Sequence, residues 1–195
     1  MTDSGAKEDL LRYLRAGRAA LVWKLDGLGE YDIRRPLTPT GTNLLGLVKH
    51  LTGCELGYFG TVFGRAYPHP PRWLTEDAPA NVDMWATEDE PRARILGQYR
   101  EACAHSDETI ARLPLDAVGV APHWPAGQRE LTLHRALIHM TAETHRHAGH
   151  ADLVRELIDG AAGLRADNTN LPEGDARWWA EHRDRVERAA RAADG

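Results

Sequence analysis

The chain has 195 residues, 24 Lys and Arg against 29 Asp and Glu, and a formal charge of −5, enough length for one substantial core and no linker that would divide it. A single domain is expected, with a bundle core over about 7–160 and a C-terminal extension over 161–195. Arg interleaved with Glu and Asp, no basic block and no long apolar run exclude a nucleic-acid groove and a membrane span, and the polar start MTDSGAKEDL makes the cytoplasm the expected location.

In chain order, residues 7–27 place Leu10, Leu11, Leu14, Ala19, Leu21, Val22 and Leu25 at helical spacing, ahead of a turn at Gly27 and Gly29. A second apolar helix is expected over about 42–63. The stretch RAYPHPPRWLTEDAPANVDMW holds too many prolines for continuous helix, but Trp73, Met84 and Trp85 give it apolar surface to cover a cavity as a lid. Thr87 and Glu90 have the spacing of a capping box before a third helix through Ile95, Leu96, Tyr99, Ala102 and Ile110, which Pro114 stops. A loop with His123, Trp124 and Pro125 leads into a fourth helix over about 130–159, closed by Gly160. Residues 175–192, with Trp178, Trp179, His182, Val186 and Ala189, read as a short helix docked on the outside. The fold class is therefore all-α, a four-helix bundle with long connecting loops and a short additional C-terminal helix.

The fourth helix carries the chemistry. Glu143 and His147 are four residues apart, which stacks a carboxylate and an imidazole on one helix face, roughly 6 Å apart along the axis, so both can reach a single divalent ion. A third ligand has to come from another helix, and His50 is the best donor because its segment, TNLLGLVKHLTGCELGYFG, has an apolar face that can pack beside the fourth helix. His139 is the rival, since His139, Glu143, His147 and His150 form one stripe, whereas His145 is turned away towards solvent or a neighbouring loop. Glu143 has a second available role as a base beside the ion, although no HExxH pattern is present. Cys54 follows His50 by one helical turn and is either a thiolate ligand or a buried thiol, the latter favoured, while Glu55 is out of phase and suits a salt bridge. Both cysteines, Cys54 and Cys103, are expected as reduced thiols. No phosphate-binding glycine loop, GxSxG elbow or CxxC pair is present.

LVKHLTGCELGYFG and LHRALIHMTAETHRHAGHADLVRELIDGAAG together resemble the DinB-like superfamily, in particular its DUF664 branch and the mycothiol-dependent maleylpyruvate isomerase and S-transferase proteins, over nearly all of residues 7–165. The resemblance implies a four-helix bundle of the DinB-like type and a divalent-metal triad in which one histidine is replaced by glutamate. Its ligand positions fall on His50, Glu143 and His147, which favours direct ligation by Glu143 over the base role. It also makes a homodimer an expectation.

Imidazole and carboxylate ligands with an open position suit zinc first, with nickel, iron and manganese as alternatives. With a low-molecular-weight thiol such as mycothiol as cosubstrate, the expected activity is thiol transfer to a small electrophile. The isomerase relatives carry a further C-terminal domain that the residues after Gly160 are too few to form, so transfer is expected ahead of isomerisation. The alternatives are a metal-dependent hydrolase of a small amide or ester and a non-catalytic metal or small-ligand binding protein. Arg146 either binds a substrate carboxylate or is an exposed, ion-paired surface residue.

Overall fold

The computed structural model describes residues 3–75 and 77–194. Its long helices are α1 (Asp3–Trp23), α3 (Leu44–Glu55), α4 (Arg92–Arg112) and α5 (Leu133–Asp159), with a short α2 (Glu30–Arg34) between the first two and α6 (Ala176–Ala193) at the end. The fold is all-α: α1 lies along α5, and α3 fills the centre between α4 and α5.

Helix spacing explains which faces meet. Leu14, Arg18, Leu21 and Leu25 recur every three or four residues on and just beyond α1 and are all buried, as are Ile95, Tyr99, Ala102, Ser106 and Thr109 on α4. Helix α3 is buried nearly all round, with Leu44, Leu45, Leu47, Val48 and Leu51 inaccessible to solvent, so it forms the axis of the core. Each such leucine contributes about 1.5–3 kcal/mol through burial, and Leu51→Ala would leave a cavity at the bundle centre.

Both ends of α3 depart from the expected helix over 42–63. At the start, the Asn43 side chain caps the helix, its Oδ1 accepting from the Gly46 amide at 2.8 Å. After Glu55 the helix widens into a π turn over Leu56–Gly60 and then tightens into a 3-10 turn over Thr61–Phe63, which ends at Gly64 with φ of +68°. The fourth helix begins later than expected: residues 130–132 form strand β2 (Glu130–Thr132), antiparallel to β1 (Val118–Val120), with Gly119 opposite Leu131. Thr132 then caps α5 by accepting from the Arg135 amide, and Gly160, at φ of +77°, ends it.

The Thr87 and Glu90 pair forms only part of a capping box. Glu90 accepts from the Thr87 amide at 3.0 Å, yet α4 begins at Arg92 behind Pro91, and the same carboxylate oxygen also accepts from the buried Lys49 ammonium at 2.8 Å. Segment 82–90 is fastened to α3 by this pair, by Lys49 donating to the Trp85 carbonyl and by Asn43 donating to the Met84 carbonyl. Gly46 is required here, because a Cβ at this position would collide with the Met84 carbonyl. The proline-rich stretch thus covers α3, as expected of a lid.

Helix α6 is capped by Asp175, which accepts from the Trp178 amide at 2.7 Å, and none of its residues is buried. Trp178 stacks on His182 and meets Trp179 edge-on, so the helix rests against residues 160–174 and not in the bundle. The largest concavity, about 930 Å³, lies there.

Candidate metal centre

Two helices bring the predicted residues together. His50 projects from α3 and Glu143 and His147 from α5; the Nε2 of His50 is 3.6 Å from Glu143 Oε1, and the Nε2 of His147 is 3.0 Å from the same oxygen. The two imidazoles meet edge-on with centroids 4.8 Å apart. Cys54 belongs to the same cluster: its Sγ is 3.5 Å from His50 Nε2, and His50, Cys54 and Glu143 offer donor atoms all within 4.8 Å of one another. Three metal-type donors, His50, Cys54 and Glu143, therefore converge, and His147 adjoins them through its contact with Glu143.

The outer partners orient these donors. Asp83, in the covering segment, lies 2.7 Å from His50 Nδ1, so that nitrogen donates to the carboxylate and the Nε2 lone pair faces Glu143 and Cys54. His150 Nδ1 stands 3.2 Å from His147 Nδ1, while His147 Nε2 lies 3.0 Å from the Glu143 carboxylate. Asp83 was not among the residues singled out from sequence. It lies 33 positions from His50, and its only sequence signal is an acidic side chain between the apolar Val82 and Met84.

Local electrostatics suit Glu143 and His147 as ligands and oppose ionisation of Cys54. Burial works against ionising Glu143, but the charge and hydrogen bonds of His147 and His50 outweigh it and hold the carboxyl below its ordinary value. Burial, and after it the neighbouring His50, lower the His147 pKa, so the ring is neutral at neutral pH. Burial and the nearby carboxylates of Glu143, Glu55 and Asp83 push the Cys54 thiol up to about 12.

The remaining candidates separate from the cluster. His139 packs against Tyr58 (4.5 Å between centroids) and Trp124 (5.6 Å), and burial lowers its pKa despite the opposing charge of Glu143. His145 reaches the Tyr13 carbonyl on α1 at 3.0 Å. Arg146 is exposed on α5. Glu55 turns the other way from Cys54 and pairs with Arg18 through two contacts of 2.7 Å.

A pocket of about 400 Å³ opens directly over His50 and Cys54, walled by Tyr58 and His123 on one side and by Trp73, Leu74, Val82 and Asp83 of the covering segment on the other. Tyr58 is where the π turn matters: its hydroxyl accepts from the Trp124 indole at 3.0 Å and lies 3.4 Å from His123 Nε2. With the Trp124 bond filling an acceptor site, the phenolic proton remains available to His123 or to a molecule in the pocket. Burial raises the Tyr58 pKa, so it is a phenol at neutral pH. The larger concavity near α6 is lined by Glu156, Glu173 and His182, which form no converging donor group among the described residues, and its Glu156 stands about 20 Å along α5 from Glu143.

No helix among the described residues is long and apolar enough to cross a membrane. No curated protein matches the chain. The family model for mycothiol S-transferases matches residues 9–160, a span that includes α3, α5 and every donor in the cluster, and the chain belongs to that family.

Proposed function

We propose that this protein is a metal-dependent thiol S-transferase that joins the sulfur of mycothiol to a small electrophile. The observation that carries this reading is the approach of both His50 and His147 to the Glu143 carboxylate, beside a pocket that His50 lines, with each histidine's second nitrogen already engaged by Asp83 or His150. Imidazole and carboxylate donors fit a divalent ion, zinc first, and these three residues would hold it. When bound, the ion supplies Lewis acidity that lowers the pKa of a thiol and keeps it as a nucleophilic thiolate.

The protein's own residues do the rest. Asp83 keeps the His50 lone pair on the cluster side, and the pocket walls of Trp73, Leu74 and Val82 hold an apolar electrophile away from water. Tyr58, with its proton free and His123 beside it, is placed to donate to a leaving group or a carbanion as the carbon–sulfur bond forms. Two unpaired thiols support a reducing, cytoplasmic setting. Leu153 and Leu157, 64% and 68% exposed on α5, and Val186 on α6 supply an apolar face that supports a homodimer, which light scattering would detect. We read the chain as one domain, with a bundle core over about 7–160 and residues 161–195 as its extension.

The test is conjugation of mycothiol to a fluorogenic alkylating electrophile by zinc-loaded protein. Turnover above the uncatalysed thiol reaction that is lost in His50→Ala is expected. Turnover that needs no thiol would favour the hydrolase, and none at all would favour a binding protein.

A further inference from the structure

Cys54 is the one donor in the cluster that a three-ligand site leaves without a task, and its position sets it apart from an ordinary core thiol. It stands one helical turn after His50 on the same face of α3, with Sγ 3.5 Å from the Nε2 that faces Glu143. It also lines the pocket floor together with His50. The neighbouring pocket positions, Gly53 on α3 and Gly57 in the π turn, have no side chains, and Trp73 and Leu74 of the covering segment pack over Gly53. Cys54 and Cys103 both pack against the bundle core, but Cys103, on α4, belongs to no converging donor group among the described residues. A thiolate, two imidazoles and a carboxylate complete a four-coordinate set of the kind zinc and cobalt accept.

We infer that Cys54 is a fourth ligand of the metal, an internal thiolate that holds the position a cosubstrate thiol must take. The inference rests on the metal-dependent reading above and adds to it a resting state closed by the protein's own sulfur. Entry of a small thiol is then an exchange: its sulfur replaces Cys54, and its proton passes to the Cys54 sulfur, so no oxidant is consumed and no net proton is released. When the small thiol's sulfur has bonded to the electrophile's carbon and the leaving group has departed with the electrons of the broken carbon–leaving-group bond, Cys54 gives its proton to that leaving group, directly or through solvent, and returns. The closed state keeps the ion from open-ended reaction with water and makes thiol binding a displacement.

Cobalt(II) titration of metal-free protein, under anaerobic conditions with a non-thiol reductant, tests this. The wild type and Cys103→Ala should both show the near-ultraviolet thiolate-to-cobalt charge-transfer band. Cys54→Ala should lack the band while still binding cobalt, about tenfold or more weakly. Adding 2-mercaptoethanol to cobalt-loaded Cys54→Ala should restore the band, at roughly tenfold lower thiol concentration than perturbs the wild-type spectrum. Cys54→Ser serves as a second variant, and thermal melts establish that each is folded. A wild-type spectrum without the band, superimposable on that of Cys54→Ala while His147→Ala loses cobalt, would overturn ligation by Cys54 and leave the metal site standing. Failure of the wild type to bind cobalt would overturn both.

Discussion

Cys54 and Glu55 are consecutive residues on α3, and they look into two ionic clusters built on opposite principles. On the Glu55 side every valence is closed: Arg18 donates to both carboxylate oxygens at 2.7 Å, its remaining arm reaches Asp107 at 2.7 Å, and the Arg18–Glu55 pair is buried. On the Cys54 side, Glu143 Oε1 faces two imidazole nitrogens, and the His50 Nε2 has only a thiol and a carboxylate oxygen 3.5 and 3.6 Å away. A cluster whose donors and acceptors match is a structural staple; one with unmatched acceptors at ligand spacing has the make-up of a cation site. Along α3, the difference between holding the fold and serving the site is a rotation of one residue.

The comparison is broken most severely by removing a donor on the open side. His50→Ala and His147→Ala should each lower metal affinity by about a thousandfold or more, on the order of 4 kcal/mol, while the melting temperature of the metal-free protein changes little; calorimetric titration reads the first and thermal unfolding the second. On the closed side the effects reverse. Glu55→Gln leaves the buried Arg18 guanidinium short of its counter-charge and should cost about 3–5 kcal/mol in denaturant unfolding, with metal affinity of the folded fraction unchanged.

Smaller perturbations sharpen the same contrast. Asp83→Asn should weaken metal binding by about ten- to a hundredfold without unfolding the protein, because it loosens the tautomer and orientation of His50. Glu90→Gln should cost about 1.5 kcal/mol at neutral pH through loss of the Lys49 contact. Burial opposes ionisation of Glu90, but hydrogen bonds from Lys49 and the Thr87 backbone outweigh it and lower its pKa below 4.5. The folded pKa lies below the unfolded one, so the contribution is full above about pH 4.5 and disappears as pH falls through the folded value. The difference between wild type and Glu90→Gln, followed by urea unfolding from pH 7 to 3, should shrink accordingly.

The parts of the molecule that were legible in the sequence are those governed by local spacing. The four long helices follow from apolar residues three and four apart, and the approach of Glu143 and His147 follows from one helical turn. His50 was accessible because α3 is apolar enough to be central and so must lie beside the other helices. Asp83 was not, since its place depends on Asn43, Gly46 and Lys49 fastening a loop over a distance no periodicity records. The π turn that presents Tyr58 is a shift of backbone hydrogen bonds within an otherwise regular helical pattern, and the three-residue strands β1 and β2 are too short to show alternation. The Trp178 and Trp179 pair promised docking against the bundle, yet the rings satisfy one another and His182.

The central claim is that α3 and α5 build a metal centre from His50, Glu143 and His147. Its most direct test is elemental analysis of protein purified without a metal-affinity step, wild type beside His147→Ala under identical conditions. Near-stoichiometric zinc in the wild type, absent from a variant that melts at the same temperature once metal is removed from both, is the predicted result. Metal-free wild type that also shows no difference from the variant on zinc titration would contradict it.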